Sequence, residues 1–270
     1  MRVLITHIDL DGIACAILAI WSGKFDMVIA TGYTQVNDID TTEFDEVVYT
    51  DIAPEDTTAT VFDHHKTAGF LAEHCATYLF YQTMEHNDVL DLFTTLVDLF
   101  DCWRSDHALF DEALKLEMLF RETTRTGIPH KMIVYKDGKV QLTMFSHFIN
   151  IILYKIRSKR FKWSFKDREI MLNCGMRIEA RLKEIDVDVK KTKLGAYAAF
   201  RYASNVDLAF VAPRIIQRYN LDFIVIEYDK RCSLRSQSID LTVIPGFKGH
   251  AHAGVISTDD LDSYLKNEGR

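Results

Sequence analysis

The sequence predicts an α/β protein: an N-terminal parallel sheet flanked by helices, followed by a smaller C-terminal α+β domain. Three observations carry this reading. Short apolar, β-branched runs alternate with helical stretches through the first hundred residues, the pattern of strands joined by crossover helices. Acids and histidines stand just beyond the ends of those runs. A fresh strand–helix–strand pattern begins near residue 190.

In order, Arg2–Thr6 reads as a short strand and Ile13–Trp21 as a helix apolar all round, hence buried. Asp26–Thr31, Glu46–Thr50 and Ala59–Phe62 read as further strands, Ala68–Met84 and Asp88–Cys102 as helices. Met132–Tyr135 and Val140–Thr143 flank Asp137-Gly138, a strong hairpin turn signal. Phe145–Arg157 and Lys166–Ile185 are helical in pattern. Beyond Lys190–Leu194, Ala196–Tyr202 is a strand, Asp207–Tyr219 a helix, Asp222–Tyr228 a core strand and Arg231–Arg235 its partner.

Composition narrows the class. At 270 residues, 48% hydrophobic and 26% charged, the chain can bury a real core. No apolar run approaches the roughly 20 residues of a membrane span, and Met1–Thr6 reads as a strand rather than a signal peptide. Five scattered cysteines without a Cys-x-x-Cys pair fit a reduced, cytoplasmic setting. The net charge of −7 is uneven: residues 1–103 hold 18 acids against three Lys/Arg, and residues 104–270 hold 21 against 29. An acidic half can take up a phosphate substrate only after loading cations that invert its charge. The run Lys155–Lys166 interleaves basic and aromatic residues. It reads either as a surface for a nucleic-acid strand or as a solvated helix end whose aromatics pack inward.

The chemistry concentrates in His7-Ile8-Asp9-Leu10-Asp11-Gly12, Asp51, Asp63-His64-His65, and Asp98 with Asp101. Ligands of parallel sheets gather at the carboxyl ends of strands, so His7, Asp9, Asp51 and Asp63 can converge there. Asp9 and Asp11 can lean from an extended turn toward one centre or serve two. A lone strand-end carboxylate such as Asp51 suits a bridge between metals. Asp98 and Asp101 share a helix face at i, i+3 spacing. Mn²⁺ and Mg²⁺ take carboxylates and waters, with imidazole acceptable to Mn²⁺, and a metal pair is standard machinery for splitting phosphate esters.

In their order and number these motifs resemble the DHH phosphoesterase superfamily. The first motif resembles its RecJ-type form, Thr50-Asp51 the second, Asp63-His64-His65 the third and the region of Asp98 the fourth. Ser233-Leu234-Arg235-Ser236 and Gly246-Phe-Lys248-Gly249-His250-Ala-His252-Ala-Gly254 resemble the substrate motifs of the DHH-associated C-terminal domain. The resemblance covers residues 1–103 and 195–257. It implies a catalytic domain over 1–189, with 104–189 as a helical and hairpin extension and linker, and a substrate-binding domain over 190–270.

By the same resemblance, His7, Asp9, Asp11, Asp51, His64 and Asp98 ligate two Mn²⁺, with Mg²⁺ as an alternative. Asp101, before Cys102-Trp103, competes with Asp98 for the fourth motif, and Asp98 is preferred. Asp63 and His65 are catalytic, orienting ligands and contacting the reacting phosphate. Arg235, Ser236, Lys248, Gly249 and His250 bind substrate. Lys248 departs from the usual Gly-Gly-Gly-His, removing backbone freedom and adding a cation. The implied substrate is a short single-stranded nucleic acid or a small nucleotide, cut to 5′-mononucleotides, or a nucleoside bisphosphate. Alternatives are a cyclic or linear dinucleotide, single-stranded DNA, or a non-catalytic nucleotide-binding module. No membrane partner is expected, and a homodimer stays open.

Overall fold

The computed structural model describes residues 1–64, 74–124, 131–183, 185, 187–201, 208–228, 230–250 and 252–268. The chain divides into two compact units, Met1–Met171 and Leu172–Arg270.

The first unit is built on a six-stranded sheet ordered β4-β3-β1-β2-β5-β6. Its strands are β1 (Arg2–Thr6), β2 (Met27–Thr31), β3 (Glu46–Thr50), β4 (Thr60–Phe62), β5 (Lys131–Lys136) and β6 (Lys139–Val140). The first four run parallel. β5 lies antiparallel beside β2, and β6 folds back on β5. The predicted hairpin therefore exists, with Asp137 and Gly138 both at positive φ, but it extends the main sheet. β5 takes the edge of β2, a long-range pairing no local pattern records.

Alternation along the strands separates two faces. Val3, Ile5, Met27, Ile29 and Tyr49 pack with Val36, Ile39 and Ile52, so connecting segments, including the short 3-10 turn Val36–Asp38, cover that face. On the other face, the Thr6 hydroxyl donates to the Gly12 carbonyl at 2.8 Å, tying the sheet to α1 (Leu10–Ser22). Helices α2 (Ala76–Tyr81), α3 (Asp88–Asp101), α4 (Phe110–Thr123) and α5 (Ser146–Arg157) follow. The predicted helix over 68–84 is described only as α2, since residues 65–73 lie outside the described part. Helix α4 escaped the sequence reading because its charges, Asp111, Glu112, Lys115 and Glu117, interrupt the apolar spacing.

α6 (Phe165–Leu182) leads into the second unit. Its sheet has the order β11-β12-β10-β9-β8-β7, from β7 (Val189–Thr192), β8 (Gly195–Arg201), β9 (Phe223–Tyr228), β10 (Arg231–Ser236), β11 (Lys248–His250) and β12 (Ala253–Ser257). β8 and β9 are parallel, joined through α7 (Leu208–Tyr219); the other neighbours are antiparallel. Tyr197, Phe223, Leu234, Leu241, Ile256 and Leu261, the last from α8 (Thr258–Glu268), form its core. Among the described residues no helix is long and apolar enough to cross a membrane.

Candidate metal centre

The parallel strands end at the acids and histidines singled out above. His7 follows β1, Tyr33 follows β2, Asp51 follows β3 and Asp63 follows β4. Asp9 is the N-cap of α1, its Oδ1 accepting from the Gly12 amide at 3.0 Å. That capping bond draws Leu10 and Asp11 into the first helical turn, so the extended turn read from sequence is half helix. A side chain at position 12 is sterically forbidden: a Cβ there would lie 2.3 Å from the His7 carbonyl oxygen. Gly12 thus lets the His7 backbone press on the helix start.

Asp11 is buried, and its two oxygens accept from the amides of Ala76 and Thr77 at 2.9 and 2.8 Å. It therefore caps α2 while facing the centre. Asp51 sits in the left-handed region at φ 59°, unusual for a residue with a side chain. Its amide donates to the Phe62 carbonyl at 2.8 Å, which holds the turn. Strained backbone of this kind persists where the surroundings enforce it.

Two donor sets meet at Asp51. In one, His7 Nδ1 lies 2.8 Å from Asp9 Oδ2 and 3.6 Å from Asp51 Oδ2. In the other, His64 Nε2 lies 3.5 Å from Asp51 Oδ1 and 3.9 Å from Asp11 Oδ2. Within each set, one donor atom from each of the three residues lies within 4.8 Å of the others. Asp101 Oδ2 joins the second set at 3.4 Å from His64 Nε2.

The electrostatics call for positive charge. Burial, then the neighbouring Asp51, pushes the Asp11 carboxyl up to about 7. Burial opposes a charged ring at His7, yet Asp9 and Asp51 hold its pKa up to about 11. Burial likewise opposes charge on His64, and Asp51 and Asp11 raise it all the same. Imidazole and carboxylates converging on a shared acid are a donor set for hard or borderline divalent cations, so the residues present fit a metal pair. A third grouping adds Cys102 to His64 and Asp101. Burial, then Asp101 and Asp98, pushes the Cys102 thiol up, which disfavours the thiolate a metal takes.

Asp98 faces other partners. Its Oδ1 accepts from the Cys75 amide at 2.8 Å, and its Oδ2 lies 3.0 Å from His74 Nδ1 and 3.4 Å from Arg104 Nη2. Of the two α3 acids considered for the fourth motif, the structure brings Asp101 to His64 and leaves the preferred Asp98 bonded to Cys75, His74 and Arg104. The end of α3 explains this. Trp103 takes the left-handed conformation at φ 53°, its ring 6.0 Å from Phe100 and 5.3 Å from Phe110. The Arg104 amide donates to the Leu99 carbonyl at 2.9 Å, closing the helix in a glycine-type cap with a buried tryptophan. Asp101 is thereby fixed in the last turn.

Asp63 lies beside the centre, its charge acting on His64. His65 lies outside the described residues. Tyr33 was missed by sequence reasoning, although it follows a strand as the other site residues do. Its half-exposed ring stands 4.3 Å from the His7 ring. His74, stacked on Tyr78 at 3.7 Å, and Arg104 were missed as well.

In the second unit, Arg235 Nη1 donates to Ser233 Oγ and the Leu234 carbonyl, both at 2.8 Å. Burial pulls the Arg235 pKa down to about 10, so the group stays charged at neutral pH. The Ser236 hydroxyl donates to the Asp222 carbonyl at 2.8 Å and accepts from the amides of Ser238 and Ile239. It serves the turn after β10. On β11, Lys248 pairs with Val255 and Gly249 with Gly254; the His250 side chain lies outside the described part.

No protein-family model matches the sequence, and no curated protein does. Among solved structures, the chain resembles a pGpG-specific phosphodiesterase, PggH, from Vibrio cholerae, with a TM-score of 0.57 at 14% identity, covering 99% of this chain and 97% of that one. Exonuclease RecJ bound to manganese overlaps at a TM-score of 0.44 and 12% identity, over 100% of this chain and 90% of that one. RecJ with Mn²⁺ from Thermus thermophilus does so at 0.42 and 13%, over 99% and 51%. The PggH comparison shows that the two chains share a fold.

Proposed function

We propose that the protein is a metal-dependent phosphoesterase of the DHH type. It hydrolyses short oligonucleotides to 5′-mononucleotides, or removes phosphate from nucleoside bisphosphates. The observation that carries this is the pair of donor sets, His7/Asp9/Asp51 and Asp11/Asp51/His64, sharing one acid at the carboxyl end of the sheet. Two Mn²⁺ held there would supply the positive charge that polarises a phosphate ester and activates water.

The chain's own residues do the rest. Gly12 and the Asp9 cap fix His7, and the amides of Ala76 and Thr77 fix Asp11. Asp101, 3.4 Å from the same His64 nitrogen that faces Asp51 and Asp11, adds a further carboxylate on that side of the centre. Asp63 is the acid nearest in sequence to this group and the candidate for proton handling at the reacting phosphate. Tyr33, raised by burial and by Asp51 and Asp9, keeps its phenolic proton. It offers a neutral donor and a ring face to a nucleotide. Arg235 supplies a guanidinium suited to a terminal phosphate.

A second reading, a phosphodiesterase for linear dinucleotides, is favoured by the shared fold with an enzyme specific for pGpG. One experiment separates the readings: product release with Mn²⁺ from pGpG, a 5′-phosphorylated RNA dimer, 3′-phosphoadenosine 5′-phosphate, cyclic di-AMP and a long strand, with Asp63→Ala as control. Faster turnover of the dimer or bisphosphate, absent in the variant, supports the first reading; pGpG alone supports the second. Faster turnover of the long strand than of any small substrate would overturn both.

A further inference from the structure

The basic and aromatic run of residues 155–166 takes no part in the metal centre, and the structure divides its labour. Phe161 lies 5.9 Å from Phe93 of α3, and the Trp163 indole donates to Glu112 of α4 at 2.5 Å. Those two aromatics are anchors. The cations between and around them face a cavity of about 650 Å³ at the elbow of α5 and α6, within the size range of small-ligand pockets.

Lys155, His147, Arg160, Lys162 and Lys166 line this cavity together with Asn150 and Tyr154. Its floor is built rather than incidental. Lys155 is only 5% exposed. Its ammonium donates to Asp167 Oδ2 and to the Lys162 carbonyl, each at 2.6 Å, and stands 5.3 Å from the Trp163 ring. Asp167 also accepts from the Ser164 amide at 2.8 Å. Lys155 and Asp167 offset each other, leaving Arg160, Lys162 and Lys166, all exposed, as an uncompensated basic rim among the lining residues. Tyr154 is 73% exposed on the same wall and presents an aromatic face that a base can stack on.

We propose that this elbow is a second anion site of the first unit, separate from the metal centre, that binds the phosphate of a nucleotide. Arg160, Lys162 and Lys166 engage the phosphate, Tyr154 stacks on the base, and Asn150 and His147 meet its polar edge. The phosphate can belong to a free mononucleotide or to a nucleotide within a strand, and the rim chemistry is the same for both. The inference does not depend on the enzymatic reading, because the cavity and its cations stand whatever the metal centre does.

The test is isothermal titration of the full chain, held in excess chelator so that the metal centre cannot take phosphate. The probes are 5′-AMP, inorganic phosphate and a short RNA. Arg160→Glu with Lys162→Glu should weaken nucleotide binding at least about tenfold, and salt should weaken it in the wild type. Lys190→Glu with Lys191→Glu, the same charge change on exposed β7, should leave binding within about twofold. Thermal melting checks that the variants fold, and Lys166→Glu replaces the pair if they do not. AMP binding tighter than phosphate assigns a free nucleotide. Binding of the RNA alone assigns the phosphate to a strand. No binding of any probe at millimolar concentration, or equal losses in the two charge-reversed pairs, overturns the proposal.

Discussion

Gly12→Ala is the smallest change that reaches the centre without touching a donor atom. The added methyl would stand 2.3 Å from the His7 carbonyl oxygen, 2.6 Å from its carbonyl carbon and 2.8 Å from its Cα. All three are backbone atoms, so no rotamer relieves the clash. Reaching even the 3.0 Å floor of real contacts moves His7 or the start of α1 by about 0.7 Å, and misplacements near 1 Å can cost a reaction roughly 10²-fold. The same shift stretches the Asp9–Gly12 cap and the 2.8 Å approach of His7 to Asp9. Overpacking of this kind costs about 1–3 kcal/mol. The variant should melt earlier, bind Mn²⁺ more weakly by calorimetry and lose roughly 10²-fold in kcat/KM. Gly175→Ala is the matched control: its Cβ meets nothing within 4 Å in the middle of α6, so it should be neutral or stabilise by up to about 1 kcal/mol. A Gly12→Ala protein with wild-type metal affinity and turnover would refute the claim that this contact places His7.

Further outcomes are specific to other residues. Asp101→Asn should weaken metal binding with little change in the melting of the chelated protein. Asp98→Ala should instead cost about 1–3 kcal/mol of stability, because it leaves the buried Cys75 amide without its acceptor; calorimetry and thermal melts distinguish the two. Burial, the largest single influence, acts to raise Asp167, but the Lys155 hydrogen bond, the Ser164 hydrogen bonds and the Lys155 charge together outweigh it and hold the carboxyl below its ordinary range. A depressed folded pKa stabilises at and above the unfolded value of about 3.9, and that stability is lost as pH falls through the folded value. Melting temperature should therefore fall more steeply below pH of about 4 in the wild type than in Asp167→Asn. Arg235→Ala should raise KM for a 5′-phosphorylated dimer more than it lowers kcat. A large kcat loss at constant KM would assign Arg235 to the chemical step.

The legible part of the fold was local. β1 and β3 end where their continuous apolar, β-branched runs end, because central parallel strands are buried on both faces. The β5–β6 hairpin was readable from Asp137-Gly138, yet its docking on β2 was not, since edge pairing depends on residues a hundred positions apart. His7, Asp9, Asp51 and Asp63 were readable as candidates because each follows a strand, and parallel strands deliver their carboxyl ends to one rim; Asp11 and Asp101 lie on helices. Tyr33 obeys the same rule and was passed over only because tyrosine is not a metal-ligand type. Which of Asp98 and Asp101 lies beside His64 was beyond the sequence: both lie on one helix face, and the buried left-handed Trp103 fixes which turn ends the helix. In the run of 155–166, which read two ways, Phe161 and Trp163 pack inward and Lys155 is buried, while Arg160, Lys162 and Lys166 are exposed.

The most direct test of the central claim is a manganese titration of chelator-stripped protein, read as mononucleotide released from a 5′-phosphorylated dinucleotide, with Asp51→Asn alongside. Asparagine tolerates the left-handed backbone of position 51, so this variant removes the shared charge while keeping the turn. The account predicts no product in chelator, recovery that saturates at two equivalents of Mn²⁺, and a variant inactive at every metal concentration. Turnover in the presence of chelator, or wild-type recovery in Asp51→Asn, would contradict it.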